Sequence, residues 1–229
     1  MILDRVSDYG LCVNVAYAQQ DGFRRERAPV PPEDRRVRRS RRALRDALIS
    51  LILERGYANV TVEDITERAD LGRATFYTHY TDKDDLLDRI VTDLTDELAE
   101  RLRSLLSTSS VGFTGKPVLE MFRHADEERD AYRVILRGEG DGRALRRFID
   151  DRTAAAATIF AARVQAHGAT PQIDLEVLAR AWVGEQVVVL QWWLEADPRP
   201  MTLEEVTGML RDLSLRGRYW ASGFDGDVD

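Results

Sequence analysis

The segment GYANVTVEDITERADLGRATFYTHYTDKDDLL, residues 56–87, breaks into two short helices and the start of a long third one. Thr61-Val62-Glu63-Asp64 is a capping box, in which a threonine oxygen and an acid three residues later satisfy each other's free backbone N–H groups, so a helix opens there and runs to about Ala69. Asp70-Leu71-Gly72 is a tight connection. Aspartate tolerates the left-handed conformation better than most residues, and glycine is an acceptable N-cap. Arg73–His79 forms the next helix, and Asp82-x-x-Asp85 caps a helix predicted to reach Ser107. Ile65, Ala69, Leu71 and Phe76 supply the small core that fixes the angle between the two short helices. Arg73, Thr75, Tyr77 and His79 are left for the outer surface of the second. Such a helix can enter a DNA major groove, where arginine pairs bidentately with guanine and Thr, Tyr and His suit phosphate oxygens.

Outward from this segment, the chain of 229 residues is 44% hydrophobic and 32% charged, as an ordinary globular protein is. The net charge of −7 taken alone argues against a nucleic-acid partner. Its distribution argues the other way: Arg35, Arg36, Arg38, Arg39, Arg41, Arg42 and Arg45 fall together with no acid among them. A polyanion feels such a local block, because exposed charges beyond about 8–10 Å are screened at physiological salt. A solvated charged tail is the plainer reading of the same block. The first residues, MILDRVSDYGLCVNVAYA, are interrupted by Asp4, Arg5, Asp8 and Asn14 too early for an export signal, and the apolar stretches are too short to cross a bilayer, so the cytoplasm is expected and a membrane is not. A single cysteine, Cys12, and three scattered histidines leave no intrachain disulfide and no zinc cluster, and neither metal nor other cofactor is expected.

Residues 1–37, with Pro29, Pro31 and Pro32, read as a flexible arm or an over-extended gene start. Leu44, Leu48, Leu51 and Ile52 then recur at helical spacing up to Gly56. Beyond the Ser107–Gly115 loop the segments 117–127, 130–137, 143–167, 174–196 and 202–220 all read as helix. Helix 174–196 is apolar on two sides, with rows Leu175, Leu178, Trp182, Val189 and Val177, Ala181, Gly184, Val188. Such a helix needs partners on both. Helix 202–220 adds Leu203, Val206, Leu210, Leu213 and Trp220. The fold class is all-α: an N-terminal three-helix helix-turn-helix domain at 38–87, a helical regulatory and dimerisation domain at 88–221, and a tail at 222–229. There is no Gly-rich phosphate loop, no H-E-x-x-H and no G-x-S-x-G. The acid pairs Asp84/Asp85 and Glu127/Glu128 are most simply solvated helix faces, so an enzyme is not expected.

The pattern T-V-x-D-I-x-x-R-A-x-L-x-x-A-T-F-Y-x-H-Y-x-x-K-x-x-L-L resembles the DNA-binding domain of TetR-family transcriptional regulators over about residues 40–87. By that resemblance the chain is a sequence-specific regulator, a repressor released from a double-stranded DNA operator by an unknown small-molecule effector. A transcriptional activator or a ligand-independent DNA-binding dimer is the alternative. Position by position, the resemblance places Thr61, Val62, Arg73, Ala74 and Thr75 against DNA, Tyr77, His79 and Lys83 on phosphates, and Arg42 on the backbone. It also implies a homodimer built by the last two long helices. Met121, Phe122, Tyr132, Phe160, Trp182, Glu185 and Trp193 are the candidates for an effector pocket, apolar or aromatic residues with one polar anchor, as pockets usually are. The competing reading of each is plain core.

Overall fold

The computed structural model describes residues 35–108 and 115–221, and the expectations for residues 1–34, Cys12 and the tail 222–229 lie outside them. Among the described residues there are nine α-helices and no strand. They are α1 (Arg35–Arg55), α2 (Val62–Arg68), α3 (Arg73–His79), α4 (Lys83–Thr108), α5 (Lys116–Glu127), α6 (Arg129–Leu136), α7 (Arg143–His167), α8 (Leu175–Glu195) and α9 (Leu203–Ala221), with a 3-10 turn at Tyr57–Asn59. The first helix thus begins at Arg35, and residues 35–37, expected in the arm, are its first turn. Arginine is a good helix former and nothing after Pro32 breaks the pattern. The other boundaries fall within a residue or two of the expected ones. The last helix is not continuous: Gly217 adopts φ 85° and ψ 171° and interrupts it before Trp220, whose side chain is not described.

Helices α1–α3 close on a small core of Leu44, Leu48, Ile52, Ile65 and Phe76, all within 2% of complete burial. The capping box is present at Thr61, whose Oγ1 accepts from the Asp64 backbone N–H at 3.2 Å while Asp64 Oδ2 accepts from Thr61 N at 2.8 Å. The hydrogen bonds from Thr61 and Arg55 hold the Asp64 carboxyl well below the usual carboxylate range. Asp70 takes the left-handed conformation, φ 52°. At the start of α4, Asp82 Oδ1 accepts from Asp85 N at 2.8 Å.

The remaining helices continue the same apolar core around Phe122, Tyr132, Phe148, Trp193 and Leu194, with α7 packed along α8 and α9 against α5. Arg129 caps the end of α8, donating to Leu194 O at 2.8 Å, and Arg133 and Arg137 both pair with Glu195. Two joints tie these helices to the first domain. In one, Arg45 of α1 pairs with Glu128 at the α5–α6 junction. In the other, the turn Gly138–Gly142 between α6 and α7 rests on the first domain. Glu139 Oε2 accepts from Tyr57 N at 2.9 Å, Arg143 pairs with Asp84 at 3.1 Å, and a Cβ on Gly140 would lie 2.7 Å from Leu87 Cδ2. Gly140 has φ +67°. The backbone therefore calls for glycine, and any side chain there would also have to displace the Leu87 methyl.

Candidate nucleic-acid interface and effector cavity

Within the second short helix, α3, Phe76 is the one fully buried residue, and Tyr80, immediately after the helix, packs beside it with ring centroids 5.7 Å apart. With α3 seated on that side, Arg73, Ala74 and Tyr77 face outward, and Thr75 and His79 lie at the edge, partly buried. Tyr77 is 58% exposed and touches Phe76 only edge-on, so it is not a core residue. Arg73 reaches back to Glu63 of α2 at 2.5 Å, both side chains well exposed. An exposed pair of this kind is worth little and yields readily to a better partner. Thr61 and Val62 sit at the open N-terminus of α2, Thr61 exposed and Val62 partly packed on the core. Arg42, on the solvent face of α1, makes a loose contact with Asp46 at 3.8 Å. The arrangement gathers Arg73, Ala74, Thr75 and Tyr77 with the N-terminus of α2, whose free N–H groups favour an anion.

Lys83 does something other than what the resemblance implies. Its ammonium donates to Tyr57 O at 2.9 Å and to Val60 O at 2.8 Å, and lies 4.3 Å from the centre of the Tyr57 ring. It is a clamp on the 3-10 turn between α1 and α2. The Tyr57 hydroxyl donates to Asp84, and burial first, then that hydrogen bond, pushes its phenol far up. Sequence spacing alone does not signal this role, because the acceptors are backbone carbonyls.

The candidate effector residues divide. Met121 and Trp182 line a partly open cavity of about 50 Å³ together with Leu102, Pro117, Arg152, Ala155, Ala156, Ile159, Val183, Gln186 and Val187. Phe122, Tyr132 and Trp193 do not. They are packed core: Phe122 against Trp193 at 6.0 Å, Tyr132 edge-on to Phe148 at 5.7 Å, and Trp193 donating from Nε1 to Met201 O at 3.0 Å. Phe160 stacks edge-on to Trp182 at 5.7 Å, behind the cavity wall, and Glu185 is not on that wall. The error has a physical origin. Large aromatic residues fill space, whereas space is left where small ones stand. The alanine run 154–157 of α7 was the sequence signal for a void.

Beside the cavity lies a buried polar pair. His124 is fully buried, with Nδ1 2.8 Å from the Tyr132 hydroxyl and Nε2 3.8 Å from Glu97 of α4. Burial, followed by the nearby Arg101 guanidinium, pulls the imidazole below its ordinary range, and burial pushes the Tyr132 phenol up. On α8, the row Val177, Ala181, Gly184, Val188 is largely uncovered: Val177 is 58% exposed and Val188 65%, with Ala181 exposed and Gly184 half-buried between them. Trp192, not part of the expected row, extends it at 50%, and the row Leu175, Leu178, Trp182, Val189 is half-buried. No group of three or more potential metal ligands occurs among the described residues, and no described helix is long and apolar enough to cross a membrane.

Comparison with known proteins matches residues 44–90 to the model for bacterial regulatory proteins of the tetR family. The uncharacterized HTH-type transcriptional regulator YxbF of Bacillus subtilis (strain 168) is 38% identical over 78 residues, which are 34% of this chain and 20% of YxbF. The match thus spans about a fifth of that relative. Over the whole architecture the chain is similar to a TetR-family transcriptional regulator from Syntrophomonas wolfei str. Goettingen, with TM-score 0.68 and 17% identity over 84% of this chain and 99% of the other. It is also similar to the transcriptional regulator FadR from Bacillus subtilis, solved in complex with stearoyl-CoA, with TM-score 0.66 and 16% identity over 77% of this chain and 98% of FadR. At these identities the likeness to the solved structures is one of fold.

Proposed function

We propose that this chain, a member of the tetR family through its residues 44–90, is a sequence-specific DNA-binding transcriptional regulator that works in the cytoplasm as a homodimer and represses until a small molecule releases it. One observation carries the DNA reading: α3 is seated on the core through Phe76, with Leu71 and Tyr80 packed at its two ends, while Arg73, Ala74 and Tyr77 are exposed. Base readout falls to Arg73, with Ala74 and Thr75 fitting the groove wall. Tyr77, His79, Thr61, Val62 and Arg42 serve the sugar-phosphate backbone, which positions a protein without specifying sequence. Two-fold dimers read paired half-sites, and the uncovered apolar row of α8 supports the pairing. The test is selection of binding sites from a random duplex library by the full chain. An inverted repeat with half-site centres about 34–36 Å apart is expected. Recovery of unrelated sequences at physiological salt would sink the proposal.

The effector reading rests on the cavity among α4, α5, α7 and α8, and on the fold shared with a regulator that holds an acyl-CoA. Helix α4 begins in the DNA-binding unit at Lys83 and reaches the cavity at Leu102. A ligand that favours one tilt of α4 therefore alters the separation of the two recognition helices. Moving the population from 99:1 to 1:99 needs about 5.5 kcal/mol of differential affinity, and DNA must weaken ligand binding by the same factor. A reporter placed behind the selected operator should be silenced by the protein; activation of that reporter would make it an activator.

A further inference from the structure

The cavity has a chemical character of its own. Nine of its lining residues are apolar, and two are polar: Gln186, which is buried, and Arg152. Gln186 is held in place by its amide N–H, which donates to Trp182 O at 3.1 Å. Arg152 is the one charged group on the wall, partly buried. Among the described residues it forms neither a hydrogen bond nor an ion pair, although nearly every other arginine of the helical domain does. Arg101 pairs with Glu97 and Glu127, Arg133 and Arg137 with Glu195, Arg143 with Asp84, and Arg180 with Glu176. The neighbouring acid, Asp151, points to solvent and toward Arg147 at 4.0 Å. Partly buried, and with Asp151 near enough to be felt but not in contact, this guanidinium keeps its N–H donors available to a guest. Its planar fork matches a carboxylate with two parallel N–H···O bonds.

We infer that the cavity binds a compact amphiphilic monoanion, its carboxylate on Arg152 and its apolar body between Ala155, Ala156, Met121 and Trp182. This deepens, and rests on, the reading of the helical domain as an effector domain. The size follows from the walls. About 50 Å³ is far below the several hundred Å³ of a cavity that encloses a drug-sized ligand. It is also below the roughly 150 Å³ that encloses a benzene, so the walls seat only the carboxylate and first carbons of a short-chain or single-ring acid, smaller than the acyl-CoA held by the structural neighbour, and its remainder stays at the cavity's open side.

Isothermal titration of the full-length protein, without DNA, tests the proposal with three molecules of one shape: hexanoate, hexanol and hexylamine. Hexanoate should bind and the other two should bind about tenfold more weakly or not at all, the scale of one charged hydrogen-bonding pair. Arg152→Gln should weaken hexanoate about tenfold and bring it level with hexanol, while Arg152→Lys keeps part of the preference. Ala156→Leu, which fills the void, should abolish uptake at an unchanged or raised melting temperature. That variant controls for folding. Equal binding of hexanol and hexanoate by the native protein, or undiminished hexanoate binding by Arg152→Gln, overturns the assignment of Arg152. Affinity that keeps rising from hexanoate to stearate overturns the compact guest. Hexanoate bound through Arg152 without effect on the operator complex leaves the anion site standing and removes its regulatory role. Release of the operator by some other molecule, with no carboxylate bound, does the reverse.

Discussion

Two side chains ten residues apart in one small domain, Arg73 and Lys83, show how differently a cation can serve. Arg73 is exposed and joined only to an exposed glutamate, so removing it costs the fold nothing. Arg73→Ala is expected to leave the melting temperature unchanged and to relax base preference at one position of each half-site by about 1–3 kcal/mol, the value of a bidentate arginine–guanine contact. A repeated site selection checks it, and an unchanged motif would remove Arg73 from the readers. Lys83 behaves oppositely. Lys83→Ala leaves the Val60 carbonyl without its donor, while Tyr57 O keeps the Val60 N–H at 3.1 Å, and an unsatisfied part-buried acceptor costs about 1–3 kcal/mol. The variant should melt at a lower temperature and bind every DNA sequence more weakly, whereas a simple phosphate contact would lower affinity alone. Both residues belong to one sequence motif. Only the fold tells which of them faces outward.

At the level of single helices, the boundaries were legible because caps and breakers are local chemistry. Thr61 with Asp64, Asp82 with Asp85, and Asp174, whose side chain accepts from Glu176 N and Val177 N, each start a helix where the residues say so. The inner face of each helix was legible too, from apolar spacing. The contents of the cavity were not, since a void depends on which neighbours are small, and that is set by partners far apart in the chain. The position of Arg152 on the cavity wall and the core positions of Phe122, Tyr132 and Trp193 have this origin. His124 is a further case: nothing in its surroundings in sequence marks it as fully buried between α4 and α6. With its pKa lowered by burial, the native state resists its protonation. The unfolded chain, at an ordinary value near 6.5, then takes up the proton first. The stability linked to His124 is therefore complete above about pH 7 and declines as pH falls below that ordinary value. Glu97 faces the ring and partly offsets this, and Arg101 adds to it. Chemical denaturation between pH 7 and 5 should show the native protein losing stability more steeply than His124→Gln. Parallel slopes would mean the imidazole is not a linked group.

For the molecule as a whole, the exposed row Val177, Ala181, Val188 and Trp192 makes the assembled state a separable property. Val188→Glu places a charge on a surface already in water in the single chain, so helix content and monomer folding should be kept. In a paired state the same carboxylate would be buried against apolar groups, at a cost of several kcal/mol. Sedimentation should show dimers for the native protein and monomers for the variant, with operator affinity lost in step. A native monomer at micromolar concentration would remove the regulatory reading. The Gly138–Gly142 turn connects the DNA-binding unit to the helical domain in a second way, besides α4. Helix α7 starts at this turn, on Asp84 and Leu87, and nine residues later supplies Arg152 to the cavity. Gly140→Ala meets both the left-handed backbone and Leu87. It should cost about 1–2 kcal/mol in urea denaturation for the backbone alone, and weaken the mutual effect of ligand and DNA beyond what the stability loss explains. This turn also sets terms for anyone building hybrid regulators. A reading head cut from this chain just after Leu87, in the second turn of α4, would arrive on a foreign body with Arg45, the Tyr57 N–H and Asp84 each expecting a particular mate, and with Leu87 expecting a residue that has no side chain at all. Grafts that carry Glu128 and the sequence GEGDGR of residues 138–143 along with the head should transmit their new host's signal; grafts that leave them behind should still recognise the operator, and be deaf.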